Sequence, residues 1–244
     1  MSISAQFLTK LSRSIPAVGQ ALGAALLPQD CFLCGALAGR SLLCDACTTD
    51  LPRLPVSPCT ICALPTPGDA VCGNCLKKAP YFDATQACFR YAFPVDRLVQ
   101  SLKYNHRLAV AAFLSDAMLA AASQMAPADM ILAVPLAPRR MQERGFNQAL
   151  EIARPLARKL HLPLIISGYS HTLNNASQAS LPWKERQKNI RDAFECALDL
   201  EGKSLIVIDD VMTTGATLNE FARILKNQGA TRGSNRVVAR ARKE

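Results

Sequence analysis

The chain has 244 residues, ten of them Cys, with 28 Lys and Arg against 19 Asp and Glu and a formal balance of +9. At roughly 100–200 residues per domain this leaves room for one full α/β domain and a small module, and it excludes a disordered tail protein. The longest apolar runs, Ala109 to Leu114 and Ile131 to Ala137, fall far short of the ~20 residues of a membrane helix, so no transmembrane segment is expected.

Residues 1–27 mix Lys10 and Arg13 with Leu8, Leu11, Ile15 and Val18. They lack the clean apolar core and small-residue cleavage site of a signal peptide, and read as an amphipathic lead-in.

Residues 28–80 form the next unit. They hold eight cysteines as four CxxC pairs, Cys31/Cys34, Cys44/Cys47, Cys59/Cys62 and Cys72/Cys75. Nine residues separate the first two pairs and nine the last two, so CxxC-x9-CxxC occurs twice in tandem. A CxxC hairpin points two thiolates at one ion, and two hairpins complete the tetrahedral sulfur set that Zn²⁺ takes at about 2.3 Å. Two closed structural zinc sites are therefore expected, with disulfides the alternative. Sequential pairing within each repeat is the expected ligand set, and a cross-braced arrangement is the other choice. Cys88 and Cys196 stand apart and read as small buried apolar residues. Eight thiolates with two Zn²⁺ lower the charge of this region, so the basic surplus belongs to residues 81–244 and favours a polyanion there. The ribbons are the better candidate for protein contacts.

From Tyr81 onward, strands alternate with helices. Ala84–Phe93 reads as a strand, and Val95–Arg107 as a helix with Val95, Leu98, Val99 and Leu102 at helical spacing. Leu108–Met125 reads as an Ala-rich helix and Met130–Val134 as a buried strand. The next helix spans Phe146–Leu160, with a kink or break near Arg154 ahead of Pro155. Leu164–Ile166 is a short strand. Ser167–Arg191 shows no convincing periodicity and is expected as a functional loop. Ser204–Ile208 is a strand, Thr217–Asn227 a helix and Arg236–Ala239 a final strand. This alternation predicts an α/β domain with a parallel sheet covered by helices on both faces.

The chemistry concentrates in SLIVIDDVMTTGATL, residues 204–218. A buried strand delivers Asp209 and Asp210 to its C-terminal end, where ligands of open α/β sheets bind. The turn Thr213-Thr214-Gly215-Ala216-Thr217 then opens a helix. Free N–H groups at a helix start, hydroxyl donors and a glycine suit a phosphate, and the carboxylates suit sugar hydroxyls. The segment describes a ribose 5-phosphate cradle.

DDVMTTGATL resembles the PRPP-binding signature of type I phosphoribosyltransferases. The resemblance implies that Asp209 and Asp210 are the catalytic pair that binds the ribose hydroxyls, and that Thr213 to Thr217 hold the 5-phosphate. It also implies that Mg²⁺ bridges ribose and pyrophosphate oxygens and that a nitrogen nucleophile displaces pyrophosphate from C1. The strand end at Pro135–Arg140 corresponds to the pyrophosphate loop of these enzymes, making Arg139, Arg140 and Arg144 candidate pyrophosphate ligands, and Lys103, in the sequence LKY, is a further candidate to reach phosphate.

A narrower resemblance covers nearly the whole chain. The tandem ribbons, LKY at 102–104, VPLAPRRMQERGFNQA at 134–149, QASLPWKERQKNIRDAF at 178–194 and the PRPP motif, in this order, are similar to the competence protein F (ComF) family. Gln178, Arg186 and Asn189 match its flexible loop, which would close over substrate, and Trp183 is expected to anchor that loop. The family implies a cytoplasmic protein, at the inner face of the membrane, associated with natural transformation and imported single-stranded DNA. Its candidate partners are PRPP, single-stranded DNA, and a competence helicase and other DNA-uptake proteins through the zinc module. Two functions follow: a PRPP-dependent transferase, or a catalytically silent nucleic-acid-binding or adaptor protein on the same fold.

Overall fold

A computed structural model describes residues 29–54, 58–66, 70–121, 127–172 and 192–241. The chain divides into two compact units, Met1–Asp50 and Leu51–Glu244, so the second cysteine quartet belongs to the larger one.

The described part of the smaller unit is a zinc-ribbon hairpin. Strands β1 (Gln29–Asp30) and β2 (Leu37–Gly39) pair antiparallel, and a short helix α1 (Asp45–Thr49) follows Cys44. Gly35, at φ +74°, takes the left-handed turn after the first CxxC pair, a conformation open to glycine at little cost.

In the larger unit, α2 (Gly73–Lys77) closes the second ribbon. Strand β3 (Ala84–Arg90), helices α3 (Val95–Asn105) and α4 (Leu108–Ala120), strand β4 (Met130–Ala133) and helices α5 (Pro138–Arg144) and α6 (Gln148–Leu160) come next. They are followed by β5 (Leu164–Ile165), β6 (Tyr169–His171), β7 (Phe194–Cys196), β8 (Ser204–Met212), α7 (Ala216–Asn227) and β9 (Arg232–Arg240). Five strands form one sheet in the order β3-β9-β8-β4-β5. Every neighbouring pair in it is parallel. The expected parallel sheet with flanking helices is therefore present. Strand β8 is central and apolar on both faces, with Leu205, Ile206, Val207 and Ile208 all buried, as a strand between two helical layers requires.

Several elements differ from expectation. Helix α6 runs unbroken through Pro155. Its buried stripe of Ala149, Ile152, Ala153, Leu156 and Ala157 holds it to the sheet, and tertiary burial outweighs the one hydrogen bond proline removes. That helix also starts at Gln148 rather than Phe146, because Asn147 caps it: its side chain accepts from the N–H groups of Ala149 and Leu150. The final strand is nine residues long, since β9 pairs with both β3 and β8 along its length.

Within the expected loop Ser167–Arg191, Tyr169–His171 is a strand that pairs antiparallel with β7. Its pattern is invisible to periodicity because the partner strand lies more than twenty residues away. Cys88 and Cys196 are half-buried strand residues rather than core ones. Gln178, Trp183, Arg186 and Asn189, and the lead-in 1–27, lie outside the described residues. No helix among the described residues is long and apolar enough to cross a membrane.

Candidate functional site

Strand β8 does not stop at the acidic pair but continues to Met212, so Asp209 and Asp210 are strand residues on opposite faces of the sheet edge. Asp210 is 4% exposed, which demands partners for its charge. It has two. The Lys103 ammonium, in the last turn of α3, forms an ion pair with its Oδ2, and Gln148 Nε2, at the start of α6, donates to its Oδ1 at 3.4 Å. Burial raises the Asp210 carboxyl, but the Lys103 charge and the hydrogen bonds from Lys103, Asp209 and Gln148 outweigh it and hold it below the ordinary carboxylate range. Asp209 goes the other way. Burial, then the neighbouring Asp210 charge, pushes its carboxyl well above that range. The adjacent carboxyls are thus pushed in opposite directions, Asp210 toward the anion by Lys103 and Asp209 toward the neutral acid by burial and by Asp210.

The turn after β8 leaves Thr213, Thr214 and Thr217 exposed and Gly215 buried. Gly215 sits at φ +81°, and a Cβ there would lie 2.4 Å from Met212 Cε, so the position admits only glycine without rearrangement. Thr214 Oγ1 accepts from Ala216 N–H at 3.3 Å, which tightens the turn. No side chain at the N-cap position Gly215 caps α7, and the first-turn N–H groups beyond Ala216 are available to an anion.

The predicted pyrophosphate segment is largely helical. Arg139 and Arg140 are exposed on α5, where Arg139 Nε meets Glu143 Oε1 at 2.8 Å, an exposed pair that contributes little to stability. Arg144 turns inward. Its guanidinium lies 5.6 Å from the Tyr104 ring centroid and donates to Gln148 Oε1, so Lys103, Asp210, Gln148 and Arg144 form one chain of contacts across four elements. Arg140 is placed near His171 of β6, whose imidazole is held below its ordinary pKa by burial and then by the Arg140 charge.

Lys103 and Arg144 thus converge on the acidic pair, whereas Arg139 and Arg140 lie on the exposed side of α5. Tyr104 and Gln148 stood in the sequence only as members of the LKY and VPLAPRRMQERGFNQA motifs, without a role of their own, and His171 had none. Gln148 closes the run RGFNQ, but nothing in its residue type pointed to an aspartate sixty-two positions away.

The eight paired cysteines gather as Cys31, Cys34, Cys44, Cys47 and as Cys59, Cys62, Cys72, Cys75, the sulfurs of each quartet lying within 4.8 Å of one another. This is the sequential pairing. In the first quartet the Cys34 and Cys44 sulfurs are 3.7 Å apart, and in the second the Cys62 and Cys72 sulfurs are 3.5 Å apart. Burial raises the Cys31 and Cys59 thiols, but backbone N–H groups aimed at the sulfurs outweigh it and bring them to about 6 and about 7. Cys75 is pushed up instead, by burial and then by the Cys62 and Cys72 sulfurs. Four such sulfurs cannot all ionise together without a cation between them, and a Zn²⁺ satisfies both tendencies. Each quartet fits a structural zinc.

The family model of the double zinc ribbon domain matches residues 22–76, and that of the phosphoribosyl transferase domain matches residues 147–242. The DNA utilization protein YhgH of Escherichia coli (strain K12) is 32% identical over 213 residues, covering 84% of this chain and 93% of that protein. Competence protein F of Haemophilus influenzae is 30% identical over 167 residues, 65% of this chain and 73% of that one. Among solved structures, the glutamine phosphoribosylpyrophosphate amidotransferase from B. subtilis is similar with a TM-score of 0.36 at 20% identity, over 52% of this chain and 25% of that chain.

Proposed function

The chain belongs to the competence protein F (ComF) family, and from that premise we propose that it binds PRPP with Mg²⁺ in the cradle between β8 and α7 and transfers the phosphoribosyl group to a nitrogen nucleophile. The observation that carries this reading is the junction of Asp209 and Asp210 with an uncapped helix N-terminus across a turn that the left-handed backbone of Gly215 makes. The N–H groups and the hydroxyls of Thr213, Thr214 and Thr217 take the 5-phosphate, with Ala216 at the first helical position. Asp209 and Asp210 accept from the ribose hydroxyls. Lys103 already compensates the Asp210 charge, which suits a Mg²⁺ held largely through substrate oxygens rather than by a carboxylate cage. Bound there, Mg²⁺ would neutralise pyrophosphate charge as it leaves, and Arg139, Arg140 and Arg144 supply further cations on that side. Lys103 can serve pyrophosphate only by releasing Asp210.

Calorimetry with PRPP and MgCl₂ on the zinc-loaded protein tests the reading. Saturable binding is expected, and Gly215→Val should abolish it while leaving zinc content unchanged. No heat of binding from the folded wild-type protein would overturn the assignment.

A second reading, nucleic-acid binding in DNA uptake at the inner face of the membrane, is favoured by an exposed aromatic residue next to Lys103. Tyr104 is 69% exposed, and Arg144 lies over its ring. A base can stack on such a surface, and arginine can meet phosphate beside it. Binding of a single-stranded oligonucleotide that weakens steeply with salt, and by about tenfold in Tyr104→Ala, is the expected signature. Salt-indifferent binding would count against it. On either reading the first ribbon is the candidate surface for a competence helicase or another DNA-uptake protein.

A further inference from the structure

Arg240, the last residue of β9, lies opposite Met212 in the sheet register and is 5% exposed. A buried guanidinium must spend its donors on specific acceptors, and these acceptors join two parts of the molecule. Its Nε donates to the carbonyl of Cys62 at 2.8 Å, inside the second cysteine quartet. Its Nη1 donates to the carbonyl of Met212 at 2.9 Å and to that of Thr213, at the entrance of the phosphate turn.

A second link reaches the other side of the turn. Tyr81 N–H, just beyond the second ribbon, donates to Asn219 Oδ1 at 2.7 Å, in the first turn of α7. Between the two links, Cys59, Cys62 and Cys75 share an apolar core with Met212, Leu218 and Phe221. Both arms of the turn are therefore fastened to the second ribbon.

The direction of these bonds matters. In a planar trans peptide the C=O and the following N–H point opposite ways. With the Met212 and Thr213 carbonyls turned toward Arg240, the N–H groups of Thr213 and Thr214 point away from it, and the guanidinium masks the carbonyl dipoles that would repel an anion. We propose that Arg240 is a positioning residue that sets the phosphate turn, and that it takes its own position from the metal-fixed Cys59–Cys62 hairpin. The second ribbon is then a wall of the phosphate site as well as a fold staple. Only the identity of the ligand rests on the PRPP reading.

The test uses full-length, zinc-loaded protein and two readouts: amide hydrogen exchange over residues 211–219, and calorimetry with inorganic phosphate and with PRPP plus MgCl₂. Arg240→Lys keeps the charge but loses the fork, and Asn219→Leu removes the second link independently. Each should retain two zinc ions and raise exchange in 211–219 about tenfold, with little change in β4 and α6. Phosphate affinity should fall by a similar factor, on the order of one hydrogen bond to a charged group. If Arg240→Lys does not fold, Asn219→Leu carries the test alone. Unchanged exchange in 211–219, or an equal rise throughout the sheet, in the folded variants would overturn the proposal. Opened exchange in the variants of a protein that never binds PRPP would sink the PRPP reading and leave this one standing.

Discussion

Removing zinc is expected to unfold the larger unit rather than loosen it. Structural Zn²⁺ in small Cys sites binds with about 10–16 kcal/mol, comparable with the whole stability of a domain, roughly 5–15 kcal/mol. In the second quartet, Cys59, Cys62 and Cys75 are built into the same core as Phe82, Met212, Leu218 and Phe221. Four thiols left without a cation place repelling or unsatisfied sulfurs beside that core. Chelation should therefore release two Zn²⁺ per chain, make the paired cysteines titratable by a thiol reagent, and abolish cooperative thermal unfolding by circular dichroism. Release of two ions with the melting transition intact would show that the quartets are appended to the fold and do not support it.

Lys103→Met is expected to cost about 3–5 kcal/mol at pH 7, the usual result of removing one partner from a buried ion pair. The Asp210 carboxylate would stay behind with Gln148 and Asp209 beside it but no cation. Lys103→Met/Asp210→Asn should recover most of the loss, because no buried charge is then left alone.

The pH dependence has a definite sign. Asp210 is held below its unfolded value, near 3.9, so its contribution is present above that pH and is lost as pH falls through its folded pKa. Asp209 is raised, so its contribution falls as pH rises from the ordinary carboxylate range toward its folded pKa. The gap between wild type and Lys103→Met should shrink steadily as pH drops toward 3, since a protonated Asp210 needs no ammonium. Urea unfolding at a series of pH values reads this directly, and a gap independent of pH would remove the ion pair from the explanation.

The two features most legible in the sequence are those built from local chain. Each cysteine quartet comes from one short repeat, so spacing gives the ligand number and favours the sequential pairing, which the structure selects over the cross-braced one. The turn proposed for phosphate comes from one strand–turn–helix segment, and glycine at 215 announces a backbone that other residues resist. The five-stranded parallel sheet was also readable, because buried strands are continuous apolar runs and the helices between them keep their own period.

Other features depended on distant partners. Pro155 looked like a helix breaker because the sequence shows the missing N–H but not the sheet that compensates for it. Strand β6 escaped notice because three residues carry no period and its partner is remote. Lys103 reads as a phosphate ligand from its charge, whereas the structure sets it on Asp210.

By itself, then, the sequence determined what short-range geometry can fix: two sulfur quartets, a parallel α/β domain and a glycine turn that opens a helix with two carboxylates beside it. Only the tertiary structure decided how charges are apportioned at that turn. Which carboxylate is paired, which arginine faces inward and which ribbon carbonyl holds Arg240 all follow from burial, and burial is a property of elements brought together from opposite ends of the chain.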